Sequence, residues 1–204
     1  MGELARYFKI TKNAVKIKNG ISTKPKFSPI FEFPFTDDYC KWINNRSKTF
    51  PKGRKPNGFW NNFYGEIIDN QINPIGVKVP KEWYQKLTSY PTKCVYMIAD
   101  DKEKLLYIGK CEYTPVIRLL DRLIPKKLNP QENNVPRIWD EYISQGIKVK
   151  CAYCYNLSFD PGILEYLLLD VYKSKKGISG ILNKKMPSWK YRRQALQIKS
   201  KLGI

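Results

Sequence analysis

Histidine is absent from all 204 positions. That removes His-based triads, HxxxH zinc hydrolases, histidine–metal nucleases and imidazole general bases. Any hydrolytic chemistry must therefore rest on Tyr, Lys, Glu or Asp. Acidic residues are scarce: 18 Asp and Glu stand against 37 Lys and Arg, which leaves a net charge of +19. A surplus this large repels itself, and it favours a polyanionic partner such as nucleic acid or an anionic membrane surface. No apolar run is long enough to span a bilayer. The first residues, Met1-Gly2-Glu3-Leu4-Ala5-Arg6, lack the apolar core of a signal peptide. The expected location is the cytoplasm, with no membrane partner. Five cysteines, an odd number, read as reduced thiols rather than a disulfide framework. Cys151 and Cys154 form a CxxC, but they sit in an alternating stretch with Val149, Tyr153 and Tyr155. They read as strand residues, not as half of a zinc site.

What is present suits one domain with appendages, or two small ones. With 42% hydrophobic residues the chain can bury a core despite its charge. Three regions are expected: a basic, aromatic, DNA-contacting part over 1–91, a catalytic unit over 92–186, and a basic helix over 187–204. Near the N-terminus, Leu4, Ala5 and Phe8 share a helical face, and Thr11 is a plausible N-cap for a second short helix carrying Ala14, Val15 and Ile17. Residues 3–19 thus resemble the core of a helix-turn-helix, which would present Lys12, Asn13 and Lys16 to a DNA groove. A small basic amphipathic element is the plainer reading. Residues 22–35 are rich in Pro and Phe and suit an extended connector. Residues 39–65 contain no acid; Arg46, Lys48, Lys52, Arg54 and Lys55 are interleaved with Trp42, Phe50, Phe59, Trp60 and Phe63. Cations neutralise phosphates and aromatics stack on bases, so this stretch is expected to meet DNA. A short helix is expected over 80–90. The stretch after Asn183 again lacks acids, and Lys190, Arg192 and Arg193 would track a phosphate backbone.

Residues 94–183 form the clearest unit. Two short apolar strands, 94–99 and 105–109, flank a polar hairpin loop. Thr114-Pro115 then reads as N-cap and first helical residue, a third strand is expected over 147–155, and Asp160-Pro161 repeats the helix-start signal. Strand, strand, helix, strand, helix predicts an α+β fold: a small antiparallel three-stranded sheet flanked by helices, with basic N- and C-terminal additions. Pairing the hairpin about its loop centre sets Ala99 against Lys104 and Tyr96 against Tyr107, which would make the two phenols cross-strand neighbours. Arg118 and Arg122 lie one turn apart on the following helix. Glu165 is the acid within the apolar run of residues 163–169. Buried alone it would be costly, so a cation or an arginine is expected beside it.

Cys94-Val95-Tyr96, ten residues, then Tyr107-Ile108-Gly109-Lys110 resembles the signature of the GIY-YIG nucleases. Arg118 matches that family's helix arginine, Glu165 its metal-binding glutamate, and Asn183 its terminal asparagine. The resemblance covers roughly residues 92–186. Cys94 stands where the family has Gly, and Arg122 where many members carry His or Tyr. The essential arginine is therefore Arg118 or Arg122, with Arg118 favoured. The resemblance implies a metal-dependent endonuclease acting on double-stranded DNA. One Mg²⁺ or Mn²⁺ would be held by Glu165, since a hard ion takes oxygen ligands and one carboxylate with waters and phosphate suffices. Tyr96 would be the general base. A phenol ionises near pH 10, so it needs a cationic neighbour, and Lys110 or the metal's water shell would supply it. Tyr107 would orient the water or Tyr96, Arg118 would clamp the phosphate, and Asn183 would have a supporting role.

A compact chain with short flanking elements looks most like a GIY-YIG type II restriction endonuclease. A symmetric DNA site cut by one active site per chain argues for a homodimer or for sequential nicking, with the homodimer expected. A homing or repair nuclease of the same family is an alternative, as is a non-catalytic DNA-binding protein. The latter explains the charge but not Glu165 with the tyrosine pair. A restriction-type Asp/Glu-x-Lys site is set aside: the one match, Asp100-Asp-Lys102, falls in the hairpin loop.

Overall fold

A computed structural model describes residues 1–18, 24–32, 45, 48, 93–111, 122, 138–177, 180–183 and 185–204. In chain order these form α1 (Glu3–Lys18), β1 (Lys26–Phe27), β2 (Phe31–Glu32), β3 (Cys94–Asp100), β4 (Leu105–Cys111), α2 (Ile138–Glu141), a 3₁₀ turn (Ile143–Gln145), β5 (Val149–Tyr155), α3 (Gly162–Lys176), a second 3₁₀ turn (Trp189–Tyr191) and α4 (Arg192–Leu202). The expected α+β arrangement, a small antiparallel sheet with helices packed on it, is present. Among the described residues no helix is long and apolar enough to cross a membrane. The helices expected over 80–90 and from Thr114 lie outside the described residues, except that Arg122 is helical.

Among the described residues the sheet has five strands rather than three, in the order β1-β5-β3-β4 with β2 also on β5. The extra two come from the Pro- and Phe-rich connector. Proline fixes an extended or turn-like backbone, which hydrogen-bonds to an edge more readily than it coils. Lys26 and Phe27 pair with Tyr155 and Cys154, and Phe31 and Glu32 with Cys151 and Lys150. Ser28 bridges the interruption: its N–H donates to Tyr153 O at 2.9 Å and its hydroxyl accepts the Tyr153 N–H at 2.9 Å.

The hairpin register differs from the loop-centred expectation. Asp100 N–H donates to Lys104 O, and Ala99 pairs with Leu105. Leu106 then falls between ladder positions, so Ile98 pairs with Tyr107 and Tyr96 with Gly109. Tyr96 and Tyr107 are therefore diagonal, not directly opposed. The bulge matters because side chains alternate with a period of two. Without the extra residue Tyr107 would face Met97 and project from the opposite face. Two short-range features set the turn: Glu103 adopts φ 63°, and the Asp100 carboxylate accepts the Lys104 N–H at 2.8 Å.

One sheet face packs on helices. Val95, Met97, Ala99, Leu105, Ile108, Ala152 and Cys154 share a buried core with Leu164, Leu167 and Leu168 of α3, Ala195 and Ile198 of α4, and Leu4, Tyr7, Phe8 and Val15 of α1. The other face carries Cys94, Tyr96, Ile98, Cys111, Cys151 and Tyr153, all buried. The CxxC thus splits across the sheet: Cys151 is opposite Ile98 and Cys154 opposite Val95. Two residues three apart on a strand point to opposite sides and cannot chelate one ion.

The helix-turn-helix expectation is corrected. Residues 3–18 form one unbroken helix. Leu4, Tyr7, Phe8, Thr11, Ala14 and Val15 recur at helical spacing and are buried together. Thr11 is not a cap; its hydroxyl donates back to Tyr7 O at 3.0 Å, which satisfies it within the helix. No Gly or Pro stands between residues 3 and 18 to make a turn. The helix start docks on the hairpin. Leu4 N–H donates to Glu103 O at 3.1 Å, Glu3 accepts the Leu105 N–H at 2.9 Å, and Lys176 pairs with Glu3. Burial works to raise the Glu3 carboxyl's pKa, but Lys176, the Leu105 N–H and Lys104 outweigh it and hold it below the usual range.

Because Leu4 is fully buried where α1, α3, α4 and the sheet meet, Leu4→Ala is expected to lower unfolding stability by about 2–5 kcal/mol. Urea or guanidinium denaturation checks this. A near-neutral effect would mean that α1 is an appendage rather than part of the core.

Candidate active site

The candidate catalytic side chains that can be placed are arranged around β4. Alternation puts Tyr107 and Gly109 on one face and Ile108 and Lys110 on the other.

On the first face Tyr96 is wholly buried, and its ring centroid lies 5.9 Å from that of Tyr107. Gly109 makes this possible. A Cβ there would sit 2.4 Å from Cζ and Oη of Tyr96 and 2.7 Å from the Tyr107 ring. Only a residue without a side chain lets the two phenols close over the strand. Arg122 reaches the same place: its Nε donates to Tyr96 Oη at 3.3 Å, and its guanidinium carbon lies 5.7 Å from the Tyr107 ring centroid. Arg122 as a whole is buried, with 3% of its surface exposed. Burial of an arginine demands partners, and the two phenols provide a hydrogen bond and a π face. Tyr153, directly across the ladder from Tyr96, has its pKa pushed up to about 12 by burial, followed by the Tyr155 and Cys94 charges. It stays protonated at any physiological pH.

On the second face Lys110 is tied to the start of α3. Its Nζ donates to Tyr191 Oη at 3.1 Å, lies 3.6 Å from Asp160 Oδ1, and stands 5.0 Å from the Tyr191 ring centroid. Asp160 Oδ1 accepts the Gly162 N–H at 2.8 Å, capping the first turn of α3. Glu165 follows in that turn, half-buried and near enough to add to the charge felt by Lys110. Burial works to lower the Lys110 pKa, but the Tyr191 hydroxyl, Asp160 and Glu165 outweigh it and hold it above its ordinary value. Lys110 is therefore an ammonium that donates, not a base. The expectation that Lys110 would be the cation on Tyr96 is corrected: the strand's alternation sends it to the other face, and Arg122 occupies that role.

Asn183 is buried and brackets one residue of β4. Its Oδ1 accepts the Ile108 N–H at 3.0 Å and its Nδ2 donates to Ile108 O at 2.7 Å. Leu182 N–H donates to Leu106 O at 2.8 Å. A side-chain amide thus continues the ladder along the outer edge of β4, beside the bulge.

Lys12, Asn13 and Lys16 are exposed on α1, with the Lys12 ammonium 4.7 Å from the Phe8 ring centroid. Lys190, Arg192 and Arg193 are exposed around the start of α4. Lys48 is exposed and donates to Asn45 at 3.4 Å. Arg118, Arg46, Lys52, Arg54 and Lys55 lie outside the described residues. Gly109, Asp160 and Tyr191 were not singled out for the site from sequence. Gly109 is visible there as part of the Tyr-Ile-Gly run. Asp160 reads only as a cap, and Tyr191 carries no local signal, because its partners are about 30 and 80 residues away in sequence. No family model, curated protein or solved structure matches this chain.

Gly109→Ala should destabilise the fold by about 1–3 kcal/mol through overpacking against the two phenols, read as a lowered denaturation midpoint. Wild-type stability would show that the rings are free to move aside. Asp160 gives a pH signature. Burial works to raise its pKa, but the Gly162 N–H, Lys110, the Tyr191 hydroxyl and Lys190 together depress it. A carboxylate depressed on folding stabilises above its unfolded pKa of about 3.9 and loses that contribution as pH falls through the folded value. Asp160→Asn keeps the acceptor for Gly162 and removes the charge. It should be less stable than wild type at pH 5–8, with the gap closing below about pH 4. A gap independent of pH would contradict this assignment.

Proposed function

We propose that the chain is a metal-dependent endonuclease that hydrolyses phosphodiester bonds of double-stranded DNA, of the GIY-YIG kind that its sequence resembles. The observation that carries the reading is the buried Arg122 guanidinium bonded to Tyr96 Oη and set over Tyr107. The hydrogen bond fixes the phenol and holds its oxygen beside a permanent positive charge. With no histidine in the chain, such a phenol is the natural general base for the attacking water. Tyr107 fixes the ring and Gly109 gives it room. Arg122, buried on the tyrosines, positions the base. The phosphate clamp is then left to Arg118, four residues earlier in sequence.

Glu165 offers the oxygen donor that a hard divalent cation takes. Among the described residues no group of three His, Cys, Asp or Glu is gathered, and the acids that share the neighbourhood of Lys110 are Glu165 and Asp160. One carboxylate with waters and phosphate oxygens is a normal Mg²⁺ or Mn²⁺ site. Glu165 would hold the ion, which when bound supplies positive charge to the phosphate. Lys110 adds a fixed ammonium, held in place by Tyr191 and Asp160. The +19 charge supports the polyanionic substrate. A site-specific type II restriction endonuclease acting in the cytoplasm as a homodimer is the finer form of the proposal.

Glu165→Gln should reduce Mg²⁺-dependent plasmid cleavage by about a hundredfold or more while leaving the thermal midpoint and DNA binding in place. Cleavage at the wild-type rate would rule out the mechanism. On a long DNA of known sequence, wild type should give discrete fragments; a smear would remove the restriction-enzyme form.

A further inference from the structure

Trp189 is 84% exposed, far more than any other large aromatic among the described residues. Burying an indole is worth several kcal/mol, so a wholly solvated one is an unused contact surface. Its surroundings specify the contact. Lys190, Arg192 and Arg193 are all exposed beside it, and residues 184–204 contain no acid. An apolar protein partner would be a poor match for four residues of which three are cations. A polyanion that carries flat rings matches both parts.

The turn bearing Trp189 is also fixed. Tyr191, two residues on, is buried, and its ring closes over Gly162, where a Cβ would sit 2.4 Å away. Its hydroxyl accepts from Lys110, and it hydrogen-bonds to Asp160. Tyr191 N–H donates to Ser188 O at 3.2 Å, closing the turn around Trp189. The indole is thus presented from a rigid turn rather than a loose tail, which lowers the entropic cost of using it. Two residues of a 3₁₀ turn rise about 4 Å. Trp189 is thus two residues from the side chain that hydrogen-bonds to Lys110.

We propose that Trp189 is a nucleic-acid contact residue that stacks on a base or a base-pair step beside the cleavage point, with Lys190, Arg192 and Arg193 holding the flanking phosphates. This deepens the nuclease reading and rests on it for the identity of the substrate. Tyr191 is the positioning residue that ties the stacking platform to the Lys110–Glu165 group. Stacking reads a π face, so the contact tolerates sequence. Its energy is apolar and so is nearly independent of salt, unlike the phosphate contacts.

The test is binding of a fluorescently labelled DNA duplex of about 30 base pairs, by anisotropy in EDTA to prevent cleavage, at several salt concentrations. Trp189→Ala should weaken binding by about 5- to 150-fold with an unchanged salt slope, and Trp189→Phe should recover most of the loss. Arg192→Ala with Arg193→Ala should instead lower the slope of log K against log salt by about 1.8. Because Trp189 is solvated, its variants should keep the wild-type melting midpoint. Wild-type affinity in Trp189→Ala overturns the proposal, as does a Trp189→Phe variant as weak as Trp189→Ala. The nuclease reading is judged separately. Cleavage with unaltered Trp189→Ala binding leaves it standing, and Trp189-dependent binding without any Mg²⁺-dependent cleavage removes it alone. Failure of the wild-type chain to bind DNA removes both.

Discussion

Leu106 falls between two rungs of the β3–β4 ladder, and the arrangement of the site follows from that one offset. Side chains on a strand alternate, so an extra residue exchanges the faces of everything beyond it. The bulge turns Tyr107 to the face of Tyr96, brings Gly109 opposite Tyr96, and sends Lys110 to the helical face. Arg122 can then meet both phenols, and Lys110 can meet the start of α3. The edge of β4 is held at the same place, where Leu182 and Asn183 hydrogen-bond to Leu106 and Ile108. Bulges bend and twist an edge strand, and such a clamp limits that freedom.

A chain with twice as many cations as acids must place its acids with care. Several of those among the described residues stand at joints between elements. Glu3 ties α1 to the hairpin and to Lys176. Asp170 accepts from Lys199 at 2.6 Å, linking α3 to α4. Glu103 and Glu32 meet Lys150 and Lys148 across the sheet. Asp160 joins β4, α3 and the Trp189–Tyr191 turn. Individually such pairs contribute little when solvated. Together they leave the remaining cations, Lys12, Lys16, Lys190, Arg192 and Arg193 among them, on open surface. That surplus is what a polyanion would meet.

Much of this was legible in the sequence. The α+β order, the three central strands and the start of α3 came from apolar runs, a polar loop and an Asp-Pro signal, all local and all governed by backbone propensity. The absence of histidine and the charge surplus restricted the chemistry to phenol, ammonium and carboxylate. The unbroken α1 was less legible, because Thr11 serves as well for a cap as for an internal back-bond, and only the burial of Tyr7, Thr11 and Ala14 on one face decides between them.

The residue types at the site were thus determined by the sequence alone: two tyrosines on neighbouring strands, an arginine-bearing helix, and a glutamate early in an apolar one. Tertiary structure decided which of them touch. Register depends on where a hairpin spends its extra residue, and no local preference distinguishes Leu105 from Leu106 for that role. Tyr96 was therefore set opposite Gly109 rather than Tyr107, and Arg122 rather than Lys110 became its cation. Tyr191 joined Lys110 and Asp160 only because α4 folds back on α3 from the far end of the chain. Contacts between residues so distant in sequence are selected by packing of the whole core, which no short stretch encodes.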